Sequence, residues 1–283
     1  MTQSPQILLT DPEHYDVSYA INPWMHPDDW KAHDAEYKAA ARSAWQSLED
    51  ALMSAGFEVH VLPGQKGVPD MVFPANAAIV LDGTALMARF KCPERQGEEP
   101  HFKAGFERLV TEGLLKRVET FPDGLVQEGA GDAIWDKRRG HFWCGYGQRS
   151  DEAAIAHIEA VFGKPTVPIE LVDPRYYHLD VCMYPLEGGE VVYFPGAFSP
   201  ASRDRIKQIV PEALRIEATE DEANLLCLNA VRLDRHIICA QASPRLRSIL
   251  GERGYTMREL DLKPFILSGG AAYCMTLRLD LVS

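Results

Sequence analysis

The chain has 283 residues, 46% hydrophobic and 25% charged, which describes a globular protein long enough to bury a sizeable core. Its formal net charge of −12, with no Lys/Arg block, excludes a phosphate-backbone binder. No apolar run approaches the ~18 residues that span a bilayer, the N-terminus does not read as a signal peptide, and the scattered cysteines suit a reducing cytosol, so a cytoplasmic protein without membrane or nucleic-acid partners is expected. No zinc spacing, GxGxxG or GxxxxGK[ST] occurs, so no metal or cofactor is expected.

In chain order, residues 6–20 hold a strand. Residues 29–55 follow as an amphipathic helix with Tyr37, Ala41, Trp45, Leu48, Leu52 and Ala55 in one stripe and Gly56 beyond its end. A strand over 57–62 closes this segment. Residues 77–81 and 84–88 flank Asp82-Gly83, a strong two-residue hairpin signal. A helix over 98–113 and a strand over 116–120 come next. The same order recurs three times more. Hairpins lie within 124–147, 178–194 and 224–240. Helices follow Ser150, Ser199-Pro200 and Ser243-Pro244 as N-caps, and strands run over 167–171, 215–219 and 255–260.

The unit is therefore β-β-α-β, four times over, with a period of about 50 residues. A fifth copy forms only if the strand over 272–281 joins residues 6–62, which closes a ring. The alternative is one mixed α/β sheet with hairpins. The ring is preferred because it leaves no orphan repeat.

Polar residues recur where each hairpin starts: Asp70 and Asn76, Glu128 and Asp132, His178 and Asp180, Asn224 and Asn229, then Cys274. In a closed ring, equivalent positions converge on the axis. The set then holds one thiol, one imidazole and four carboxylates. A thiol is a nucleophile only as thiolate and needs a neighbour or ligand that favours charge. Crowded acids need a cation, and a planar guanidinium fits paired carboxylates. Taken singly, each residue has a plainer role: Cys274 as core, His178 as a satisfied core histidine, Asp70, Asp132 and Asp180 as turn acids, Asn22 as an Asx turn. Ser268-Gly269-Gly270 before the cysteine permits close backbone approach. Recurrence at one position per repeat favours function.

At these residues the chain resembles the guanidino-group-modifying, or pentein, superfamily, which contains arginine deiminases, dimethylarginine dimethylaminohydrolases, amidinotransferases and arginine dihydrolases. The resemblance runs from about Val17 to Leu281 and rests on PDMVFPAN (69–76), EGAGD (128–132), HLD (178–180) and GG-x-x-x-C (269–274). It implies a five-bladed pseudo-symmetric β/α propeller of ββαβ repeats, the pentein fold, as a single catalytic domain over 1–283. It also implies Cys274 as nucleophile through an amidino-thioether, His178 as general acid/base and Glu128 as an acid near the substrate. Asp70 and Asp180, with Asp132 and Gly269 in the same pocket, would hold a small guanidino substrate, and Arg95 and Arg149 its α-carboxylate. INPWM (21–25) and the asparagines Asn22 and Asn76 look most like arginine dihydrolases. Asn76 stands where dimethylarginine hydrolases and deiminases carry Asp, and Tyr273 where many members carry His. A hydrolase of arginine or a methylated arginine is expected. An amidinotransferase and a non-catalytic binder of the same fold stay open, as does a homo-oligomer.

Overall fold

The computed structural model describes residues 4–283. In chain order the elements begin with β1 (Gln6–Thr10), α1 (Pro27–Ala32), α2 (Asp34–Ser54) and β2 (Glu58–Leu62). The next blade holds β3 (Ala78–Leu81), β4 (Thr84–Met87), α3 (Pro93–Gln96), α4 (Glu99–Thr111) and β5 (Arg117–Thr120). It is followed by β6 (Ala133–Asp136), β7 (His141–Tyr146), α5 (Ala154–Phe162) and β8 (Thr166–Glu170). Then come β9 (Met183–Pro185), β10 (Val191–Tyr193), α6 (Pro200–Ile209) and β11 (Arg215–Glu217). The chain finishes with α7 (Glu220–Asn224), β12 (Val231–Leu233), β13 (His236–Cys239), α8 (Pro244–Glu252), β14 (Thr256–Glu259), α9 (Lys263–Ile266) and β15 (Leu277–Arg278).

These strands make five three-stranded sheets, and each repeats one pattern. The first two strands of a blade pair antiparallel, and the third returns parallel to the second after a helical crossover. The fifth sheet is assembled from the chain ends: β15 pairs antiparallel with β1, and β1 parallel with β2. The expected pentein ring is thus found. Among the described residues no helix is long and apolar enough to cross a membrane.

Local chemistry accounts for the turns and helix starts. Asp82 and Gly83 both take positive φ, 53° and 80°, which the two-residue turn between β3 and β4 requires. Ser199 and Ser243 accept hydrogen bonds from the Ser202 and Leu246 amides, with proline at the first helical position. The α4 stripe buries Phe102, Phe106 and Leu109 against its blade.

Three elements depart from expectation. The helix over 29–55 breaks at His33 into α1 and α2, which lets Trp30 turn inward to pack on Tyr15 and Tyr37 with ring centroids 5.2 Å apart in both pairs. Ser150 does not cap α5, which starts at Ala154 without a side-chain cap. The Ser150 hydroxyl instead donates to Asp132 Oδ2 and accepts from the Glu128 amide, so the site uses it. The strand over 272–281 shrinks to β15, because residues 271–276 form helical turns closed by Met275 N–H to Ala271 O and Thr276 N–H to Tyr273 O.

Candidate active site

The segments that precede the first strands of the five blades meet at one end of the ring. Cys274 sits there on the helical turn before β15, and its position is set largely by Asn229. The Asn229 Oδ1 accepts from the amides of Ala271 (3.0 Å) and Cys274 (3.1 Å), and its Nδ2 lies 3.1 Å from the Cys274 sulfur. The thiol donates to Asp180 Oδ2 at 3.2 Å. Burial pushes the thiol pKa well up, and the adjacent Asp180 carboxylate adds to it. Cys274 at rest is therefore a neutral thiol that needs an incoming positive charge to ionise.

Among the described residues, two fully buried carboxylates each keep one oxygen without a protein partner, as does the half-buried Asp16. Asp180 Oδ1 is unpartnered, and burial pushes this carboxyl up to about 7. Asp70 accepts from the Tyr19 hydroxyl through Oδ2 (3.0 Å), but its Oδ1 has no partner, and burial raises its pKa too. A buried acceptor left unpaired costs stability, and a cationic donor relieves that cost. Asp70, Asn76, Arg95, Arg149, Tyr177 and Cys274 line one small cavity, closed over by Ile21 and Asn22.

His178 is fully buried, with Nε2 2.8 Å from Glu128 Oε2. Its Nδ1 faces Asn76 Nδ2 at 3.3 Å. The Asn76 Oδ1 accepts from Arg95 Nη1 (2.8 Å), so the amide nitrogen must be the atom turned to the ring. An NH₂ group only donates, which leaves Nδ1 as acceptor and places the ring proton on Nε2, toward Glu128. Burial works against the Glu128 charge. The His178 hydrogen bond, the charges of Arg149 and Arg95, and that of His178 when it is the imidazolium outweigh it and hold the carboxyl at about 2. A Cβ on Gly131 would collide with the Asn76 amide nitrogen and come within 3.3 Å of His178 Nδ1, so this approach requires glycine.

Other expected residues lie elsewhere. Asp132 stands behind His178, outside the cavity lining: Oδ2 accepts from Ser150 (2.6 Å) and Oδ1 from the Leu179 amide (2.9 Å), with burial pushing it up to about 6. It braces the His178 segment. Arg95 is buried and grips Glu98 bidentately at 2.7 and 2.9 Å, while donating to Asn76 Oδ1 and to the Asp70 carbonyl. Most of its donor fork is thus committed to the protein. Arg149 donates to Glu128 (3.3 Å) and to the Ile21 carbonyl (2.7 Å), and stacks over Tyr177. Asn22 ties its loop down through the Ser268 carbonyl (2.9 Å) and accepts from the Trp24 amide, the Asx turn. Gly269 (φ 82°) lies off the cavity, its carbonyl bound by the Tyr177 hydroxyl, while Ser268 and Gly270 line it.

Sequence reasoning placed Asn229 among the residues that converge on the axis but gave it no role, and it left Glu98, Tyr19 and Tyr177 out of the site. A signal existed for Asn229: like Asn76, it stands two residues before the first strand of its blade. Asn224, its companion, bonds Tyr176 instead. Nothing in the spacing marks Tyr19 or Glu98.

A family model described as N,N dimethylarginine dimethylhydrolase, eukaryotic, matches residues 17–281. The chain belongs to this family. It shares 40% identity over 279 residues with the bifunctional arginine dihydrolase/ornithine cyclodeaminase ArgZ of Synechocystis sp., covering 98% of this chain but 38% of that protein. It therefore spans well under half of that relative's length. It is 32% identical over 271 residues to the N(G),N(G)-dimethylarginine dimethylaminohydrolase of Mycobacterium tuberculosis, covering 96% of this chain and 84% of that protein. The crystal structure of a variant N-terminal domain of ArgZ, covalently bonded to a reaction intermediate, superposes with a TM-score of 0.90 at 38% identity, covering 98% of each chain.

Proposed function

We propose that the chain is a single cytoplasmic catalytic domain that hydrolyses the guanidino C–N bond of arginine by covalent cysteine catalysis. The observation that carries this reading is a buried thiol sharing a cavity with Asp70, whose Oδ1 is unpartnered, and touching from outside that lining Asp180, whose Oδ1 is unpartnered too. A guanidinium supplies the missing donors and the positive charge that favours thiolate. The thiol proton passes to His178, Cys274 sulfur bonds to the guanidino carbon, and the C–N bond to the leaving nitrogen breaks as His178 gives that proton to the nitrogen. Water adds to the amidino-thioether with its proton passing to His178, and the C–S bond breaks as His178 returns that proton to the sulfur and restores the thiol. Glu128 stabilises the imidazolium whenever His178 holds both protons. Arg149 offers its guanidinium to the substrate's α-carboxylate.

Arginine is preferred over a methylated arginine for two reasons. Asn76 replaces the acid that methylarginine hydrolases carry at this position, and the relative at 40% identity is an arginine dihydrolase. In this reading Asn22 and Asn76 hold the urea-like product for a second hydrolysis to ornithine, ammonia and carbon dioxide. The family match supports a second reading, dimethylarginine hydrolysis. Product analysis with each substrate tests both. Ornithine with two ammonia per arginine is expected. Citrulline accumulating from arginine would refute the second hydrolysis, and turnover of dimethylarginine alone would favour the second reading. Glycine added as acceptor should give no guanidinoacetate, which an amidinotransferase would form.

A further inference from the structure

The first strands of the blades line a second cavity, reached along the same axis but beyond the residues that hold Cys274. Ile79, Trp135, Pro185, Val231 and Leu277, one from each first strand, form its wall. It has about 80 Å³ of open space, against about 10 Å³ beside the thiol. A water needs about 10–15 Å³ by this measure, so there is room for a small ion with its waters.

Arg232 reaches into this cavity between two tyrosines, its guanidinium carbon 5.7 Å from the Tyr184 ring centroid and 5.3 Å from that of Tyr273. Its Nη1 is buried without a hydrogen-bond partner, and among the described residues Arg232 makes no ion pair. Burial pulls its pKa below the usual arginine value, the mark of a cation lacking a counter-charge. Lys137 and Arg138 add two more cations to the lining, and Arg278 a third that is held by Asp280. Two acids oppose them. Asp136 is taken up by Arg139 and the Trp143 indole, and Glu187 is exposed at the rim. The result is a local excess of positive charge in a chain of net charge −12.

We propose that this far end of the axis is a binding site for a small oxoanion, a carboxylate or a phosphate, anchored by the Arg232 guanidinium. A guanidinium presents paired N–H donors that match either group, and the two tyrosine faces hold its plane in place. Arg138 extends over the Gly189 turn and supplies a second contact from the rim. The site backs onto Tyr273, the residue that precedes the nucleophile, yet shares none of the groups assigned to the reaction.

Calorimetric titration of the full chain with sodium phosphate and with sodium acetate, against sodium chloride at matched ionic strength, tests this. Saturable binding of phosphate or acetate is expected, and which of the two binds tells the classes apart. Arg232→Gln should weaken it by about tenfold or more and Arg138→Ala by several-fold, because a charged bidentate donor is lost in the first and a rim charge in the second. Arg138 is exposed, so its variant keeps the test valid if Arg232→Gln does not fold. Three results overturn the proposal: neither anion binding more tightly than chloride, both variants binding like the parent, or binding that disappears with Arg149→Ala instead.

Discussion

Replacing Asp180 by Asn should move thiol reactivity and turnover in opposite directions. In the free protein the carboxylate lies 3.2 Å from the sulfur and resists a second negative charge there. At an effective dielectric of about 20, two unit charges at that distance interact by ~5 kcal/mol, or roughly 3–4 pKa units. Burial holds Asp180 itself at about 7, so its charge is present throughout the range in which the thiol titrates, and the two groups titrate as a coupled pair. The thiol of Asp180→Asn should therefore titrate at least about 1–2 units lower than the parent's. The assay is iodoacetamide alkylation of the free protein across pH 6–10, followed by intact mass in a Cys92→Ser background, since Cys92 is the half-buried thiol. The rate at pH 8 should rise by about tenfold. Turnover of arginine should fall by about 100-fold or more, because the guanidinium loses a charged partner. Slower or unchanged alkylation would refute the claim that this carboxylate opposes the thiolate. Unchanged turnover would remove Asp180 from the substrate grip.

Three further outcomes are expected. Cys274→Ala should lower turnover by about 10⁴-fold or more while arginine still binds by calorimetry, since the carboxylate pair remains; a variant that still turns over refutes covalent catalysis. Gly131→Ala should cost about 100-fold in turnover, because the new methyl displaces Asn76 from His178; kcat close to that of the parent would show that this contact does not matter. Glu128→Gln addresses stability. The Glu128 carboxyl is held at about 2 against an ordinary 4.5, so it contributes stability that is present above about pH 4.5 and lost as pH falls through 2. That shift corresponds to about 3 kcal/mol, which the variant should lack at pH 7 in urea unfolding, with a shallower acid decline; an acid slope matching the parent's would refute it.

The repeat was legible because its signals are local. An Asp-Gly pair imposes its own turn, and Ser-Pro starts a helix whatever lies around it, so four blades could be read directly and the fifth by closure. The convergence of Cys274, His178, Glu128, Asp70 and Asp180 followed from symmetry alone. What symmetry cannot supply is the partner of each side chain, which depends on a few ångströms of tertiary approach between residues far apart in sequence. Asp70 and Asp180 look alike as turn acids beside Asp132, yet folding leaves an oxygen free on the first two and occupies both on the third. Arg95 reads as a substrate clamp until Glu98 is seen to fill its fork, and Asn229 reads as one more polar residue near the axis until its amide is seen to hold the sulfur. Turn and helix propensities are written within a few residues; which buried polar atoms go unpaired is decided only when five blades close on one axis, because that is when water leaves and every donor and acceptor must find a partner or wait for a ligand.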